Sequence, residues 1–223
     1  MKISELLGVG PGLTALLGGG GKTTLMYTLA RELRDRGTVL LCTSTKIRRP
    51  ADLPVLEDPS TEEVRAALAK DRVICLGTPG PEGKLSAPAL PFARLEELAD
   101  FVLVEADGAR GLPAKAHAAW EPVIPENVCR SVYVVGADCF GRPIGEICHR
   151  PERFAALAEA AEADPVTPER LARVIRAEGY GNIIYVNKTE TARDLEHARA
   201  LAALLPVPAV AGSLWRGEYQ CLS

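Results

Sequence analysis

The chain has 223 residues, 47% of them hydrophobic and 25% charged, with a formal net charge of −3 and a sequence pI near 5.7. At roughly 100–200 residues per domain this is a single domain, residues 1–223, with enough chain for a sizeable core. The negative balance argues against affinity built on neutralising nucleic-acid phosphates, and the charge-free stretches 6–21 and 200–215 fall short of the roughly 20 apolar residues of a membrane span. Met1-Lys2-Ile3-Ser4-Glu5 carries an acid where a secretory signal carries its positive region, so a cytoplasmic location is expected. Six scattered cysteines without a C-x-x-C pair read as reduced, mostly buried thiols.

Short apolar runs alternate with helical patterns, the signature of βαβ units around a mostly parallel sheet covered on both faces. Leu13 to Leu17 is predicted as a strand, and Thr23 to Arg36 as a helix stopped by Gly37. Thr38 to Thr43 is the next strand. Ser60-Thr61-Glu62-Glu63 is a capping box opening a helix to about Lys70, followed by a strand over Arg72 to Leu76. Phe92 to Asp100 reads as a short helix, Phe101 to Val104 as a central strand, and Ser131 to Val135 as another. Two helical patterns lie between Pro151 and Gly179, the second capped by Thr167 with Pro168 at its first position; residues 151–180 read as a helical insert. A strand over Asn182 to Val186, a helix over Thr191 to Leu204 with Thr191 and Asp194 in capping positions, and a strand over Val207 to Ala211 complete the pattern.

Gly18-Gly19-Gly20-Gly21-Lys22-Thr23-Thr24 lies between the first strand and the first long helix, the setting of a phosphate-binding loop. Glycines let backbone N–H groups turn toward a phosphate and the helix N-terminus adds positive potential. Lys22 reaches β and γ oxygens, and the Thr23 hydroxyl is a Mg²⁺ ligand. The first position of G-x-x-x-x-G-K-T is Leu16. Gly18, Gly19, Gly21, Lys22 and Thr23 instead fit the G-G-x-G-K-[ST] variant of the SIMIBI class, although Leu17 replaces its frequent lysine. Glu105 and Asp107 leave a central strand where a second Mg²⁺-directed acid belongs, and residues two apart share a face. Glu105 is the expected metal ligand, with Lys22, Glu105 and Asp107 the expected catalytic set. Glu-x-x-Gly at this place is also similar to the nickel-loading metallochaperone GTPases of that class.

Asn187-Lys188-Thr189-Glu190 ends a strand before a helix, where N-K-x-D of GTP-binding proteins stands. A carboxylate there accepts hydrogen bonds from guanine that adenine cannot offer; Glu190 is one methylene longer than the usual Asp. GTP is favoured over ATP. Thr45 and Lys46 close the second strand as a candidate γ-phosphate sensor. Arg110, Lys115 and His117 follow the acidic motif, with His149 and Arg150 further on, as candidates to face an anionic substrate. Cys148 and His149 offer a weak soft-metal pair.

Taken together, the glycine block, Thr43-Ser44-Thr45-Lys46-Ile47 with Pro50, Glu105-Ala106-Asp107-Gly108-Ala109-Arg110-Gly111, Glu121-Pro122-Val123-Ile124-Pro125, His149-Arg150 and Asn187-Lys188 resemble the YqeC family. Ala109 stands where a Ser is expected. The resemblance implies a P-loop protein that assists selenium-dependent molybdenum hydroxylases by handling a labile selenium cofactor. It implies partners among those enzymes or cofactor-assembly proteins, and SIMIBI proteins are often homodimers. The expected fold is a three-layer α/β P-loop NTPase, and the expected activity Mg²⁺-dependent hydrolysis of GTP or ATP. Two other readings stand beside it: an ATP-dependent small-molecule kinase or ligase, and a slow nucleotide-gated delivery protein.

Overall fold

The structure is a computed structural model describing residues 1–222. The chain opens with α1 (Ile3–Leu6), β1 (Gly12–Gly18), α2 (Lys22–Leu33), β2 (Val39–Thr43), β3 (Lys46–Arg48), β4 (Val55–Glu57) and α3 (Thr61–Asp71). It continues through β5 (Val73–Pro79), β6 (Lys84–Ser86), α4 (Phe92–Glu96), β7 (Phe101–Glu105), β8 (Ala114–Lys115), β9 (Val128–Gly136) and α5 (Ile144–Ile147). The last elements are β10 (Cys148–His149), α6 (Pro151–Ala158), α7 (Pro168–Glu178), β11 (Ile183–Asn187), α8 (Ala192–Ala203), β12 (Ala209–Ser213) and β13 (Glu218–Cys221).

An 11-stranded sheet runs β13-β12-β11-β9-β1-β7-β2-β5-β6-β3, with β4 also paired to β5. From β12 to β5 every pairing is parallel; β13, β6 and β3 join antiparallel. Successive strand residues face opposite sides of a sheet, and here both sides are apolar. Leu16, Leu41, Leu103, Val134 and Tyr185 face α1 and α2, against Leu25, Met26, Leu29 and Leu33. Leu17, Val135 and Val186 face the other way onto Phe154, Leu171, Ile175 and Leu201 of α6, α7 and α8. On that same side Cys42 and Val104 meet Val64, Leu68 and Leu95 of α3 and α4. The result is the expected three-layer α/β architecture. Register then brings the C-terminal ends together at one edge, with Glu105 opposite both Leu16 and Thr43, and Asn187 opposite Gly136.

The capping chemistry operates as the sequence predicts. Ser60 accepts from Glu63 N, Thr167 from Arg170 N and Thr191 from Asp194 N. One helix is shorter than expected: α4 ends at Glu96 because Asp100 is pulled into the sheet edge. Its carboxylate accepts from Thr38 N and Oγ1 at 2.7 and 2.8 Å, and its carbonyl accepts from Gly12 N. The short strands β3, β4, β6, β8, β10 and β13 add to the expected set.

Candidate functional site

The glycine loop is a backbone device. Gly18 and Gly20 have φ of +94° and +72°, values costly for any residue with a Cβ. A Cβ would overlap Val134 O at Gly18 and Gly136 N at Gly20. Gly19 N donates to Val134 O at 2.9 Å and Gly20 N to Leu112 O at 3.0 Å, so the loop is pinned to β9 and to the segment before β8. The first amides of α2 lack intrahelical acceptors, as in any helix start. They supply the donors for an anion.

Lys22 lies almost fully buried on this loop. Its Nζ donates to Gly18 O at 2.6 Å and pairs with Asp107 Oδ1 at 2.9 Å and Glu105 Oε1 at 4.0 Å. The two acids have different tasks. Glu105 accepts from the Thr23 hydroxyl at 2.8 Å, so hydroxyl and carboxylate share one place. Burial raises the Glu105 carboxyl above its ordinary value, against the opposing pull of Lys22 and Thr23. Asp107 has no exposed surface; its Oδ2 accepts from Gly18 N at 2.8 Å and contacts His117 Nε2 at 2.6 Å. Burial would raise its pKa, but Lys22, His117 and Lys115 outweigh that and hold it well below the usual carboxylate range. Asp107 therefore anchors the loop rather than standing beside Glu105 at Thr23.

Lys115 and His117 are buried and bonded to neighbouring side chains. Lys115, with no exposed surface, donates to Gly108 O at 2.6 Å and Glu121 Oε1 at 2.9 Å and lies 3.4 Å from Asp107. Burial, opposed by Asp107, brings its pKa down to about 8. His117 Nδ1 contacts Glu178 Oε2 at 2.7 Å, and its backbone N–H donates to the same carboxylate at 2.6 Å. Burial opposes the charged imidazole, yet the bonds to Asp107 and Glu178 raise its pKa overall. Glu178, at the end of α7, was not signalled by any local motif; only the fold brings it to His117.

An outer ring surrounds this buried cluster. β10 pairs with β8 so that His149 aligns with Lys115, and Arg150 bonds Glu121. Thr43 Oγ1 donates to Glu105 O at 2.8 Å, with Thr45 Oγ1 3.4 Å away from that hydroxyl. A cleft of about 280 Å³ beside the acidic strand end is lined by Thr45, Lys46, Gly108, Trp120 and Glu121. Arg110 is exposed at φ +51°. A larger cavity, about 600 Å³, lies along α2, where Thr24 meets Tyr27, Arg31 and the 50–54 loop; it does not contain the buried acids. Cys148 is buried, and burial pushes its thiol up to about 12.

At the other end of the loop, Asn187 is buried and its Nδ2 donates to Gly20 O at 2.8 Å. Its Oδ1 accepts from Tyr185 Oη and Leu214 N, both at 3.2 Å. Lys188 pairs with Asp138 at 2.7 Å. Glu190 is exposed and accepts from Ser213 Oγ at 2.9 Å. Asn187 thus braces the loop, while Lys188 and Glu190 sit at its rim.

The family comparison covers the part of the chain that carries most of these residues. The YqeC protein family matches residues 14–152, a stretch that contains the glycine loop, Glu105, Asp107, Lys115, His117, Glu121 and Arg150. The chain belongs to the YqeC family. A curated relative, "Uncharacterized protein YqeC" of Escherichia coli (strain K12), is 32% identical over 154 residues, covering 65% of this chain and 60% of the relative. The YqeC match ends before Glu178, Asn187 and Glu190, so the brace and the rim lie outside it. No helix among the described residues is long and apolar enough to cross a membrane.

Proposed function

We propose that this YqeC protein binds and hydrolyses a nucleoside triphosphate with Mg²⁺ on the glycine loop, GTP in preference to ATP. The observation that carries the reading is the contact of Thr23 Oγ1 with Glu105 at 2.8 Å directly beside Lys22. A hydroxyl from the first turn of α2 and a carboxylate from the end of β7 are what Mg²⁺ takes when phosphates complete its shell. Among the described residues no group of three or more His, Cys, Asp or Glu side chains is placed to hold a metal. Thr23 and Glu105 would hold the Mg²⁺, and when bound it would neutralise charge on the β and γ phosphates.

The chain's own groups do the rest. Lys22 exchanges Gly18 O and Asp107 for phosphate oxygens, and Asp107 keeps the loop in place through Gly18 N and His117. Amides at the start of α2 receive the phosphate chain. Glu105, at the end of β7 beside Thr23, would also orient water at the phosphate. Hydrolysis in turn supports the synthesis or insertion of the labile selenium cofactor that the family resemblance implies. The outer cleft beside Gly108, with Lys46 and Trp120 in its lining, favours a second reading, transfer of the phosphoryl group to a small molecule rather than to water.

Multiple-turnover phosphate release from Mg·GTP tests the proposal. The wild type turns over, and folded Lys22→Ala loses at least about a hundredfold in rate, the size of one lost electrostatic contact to a transition state. Equal rates for the two proteins would contradict it.

A further inference from the structure

We propose that the outer cleft binds a second ligand, a planar aromatic anion that stacks on Trp120 and is neutralised by Lys46 and Arg110. The inference deepens the nucleotide reading by naming what lies beside the nucleotide, and its role in transfer rests on that reading. Trp120 lines the cleft and is 75% exposed. The Arg150 guanidinium lies 5.6 Å from its ring centroid, so a cation steadies the indole while most of the ring stays open.

The charges around the cleft select the ligand's sign. Glu121 is the carboxylate in the lining, and Lys115 and Arg150 already neutralise it. Lys46 lines the cleft and is exposed. Arg110, two residues beyond Gly108, is exposed, and its charge is felt at His149 and Arg150. Among the described residues neither Lys46 nor Arg110 makes a direct ion pair, and the Lys46 charge is felt only at longer range by Glu82. An aliphatic anion would leave the indole bare, and a neutral ring would leave both cations unmatched. A planar anion satisfies both. Gly108, with no Cβ and open space around it, admits such a ring next to the strand end that carries Glu105.

Calorimetric titration with 1-naphthyl phosphate tests the site, with inorganic phosphate as the anion lacking a ring. The wild type binds the naphthyl compound at least about tenfold more tightly than phosphate, the scale of one stacked ring. Trp120→Ala and Lys46→Ala each weaken it by about tenfold, and Trp120→Phe recovers most of the loss. Both side chains are exposed, so both variants should fold. No binding at millimolar probe, binding indifferent to Trp120→Ala, or binding lost instead in Lys22→Ala would overturn the proposal. A parallel titration with Mg·GTPγS separates the two failures: absent nucleotide binding with an intact Trp120 response sinks the nucleotide reading and leaves the cleft standing.

Discussion

Glu105 and Asp107 leave the same strand two residues apart, and their surroundings drive them in opposite directions. Asp107 has Lys22, Lys115, His117 and Gly18 N around it; Glu105 has Thr23 and a more distant Lys22. Removing the Asp107 carboxylate would leave buried cations unpaired, a loss of about 3–5 kcal/mol. Asp107→Ala should therefore fail chiefly in urea denaturation. Glu105→Gln removes a charge that burial disfavours, so it should keep or slightly raise the thermal midpoint and retain nucleotide binding while losing turnover. Matching losses of affinity and rate in Glu105→Gln would mark a structural or purely metal-anchoring acid. His117 carries a pH signature. Its folded pKa lies above 6.5 despite burial because Asp107 and Glu178 hold the proton; Tyr133 and Tyr180 pack edge-on against the ring. The stability it gives is complete below about 6.5 and fades as pH rises through the folded value. Thermal midpoints across that range should fall for the wild type and lose this slope in His117→Gln. The sequence placed Asp107 and Glu105 correctly at a strand end, since the apolar run before them is unambiguous. It did not separate their roles, because those depend on Lys115, His117 and Glu178 arriving from distant elements.

Elements joined by local chemistry were legible, and those joined by distant pairing were not. The capping boxes at Ser60 and Thr191 and the apolar periods of α2 and β7 are written within a few residues. By contrast β8 and β10 are two-residue strands that exist because Cys148–His149 meets Ala114–Lys115, and no period of two residues can announce that. Asn187 shows the same limit. Its position after β11 was readable, but the fold turns its amide onto Gly20 O. Asn187→Ala should cost about 1–3 kcal/mol in urea denaturation, because Tyr185 Oη and Leu214 N lose a buried acceptor, and it should weaken nucleotide binding by loosening the loop. A fully stable variant with normal affinity would show that the brace is dispensable.

For the whole molecule, the sheet order places β1 between β7 and β9, so one strand end receives the acids from one side and, through β9, the Asn187 brace from the other. Base preference belongs to this outer end. If Glu190, held by Ser213 at the rim, accepts from guanine, GTP binds more tightly than ATP by about 1–3 kcal/mol, and Glu190→Ala removes most of the difference in competition binding. An ATP preference untouched by Glu190→Ala would turn the function toward the ATP-dependent kinase or ligase. In the proposed nucleotide complex Lys22 leaves Asp107 for a phosphate chain. Calorimetric titration of Mg·GTPγS into the wild type and Lys22→Ala measures this most directly. Saturable binding to the wild type, weakened at least about tenfold in a folded Lys22→Ala protein, is the predicted result; equal affinity of the two proteins, or no binding to the wild type, would contradict it.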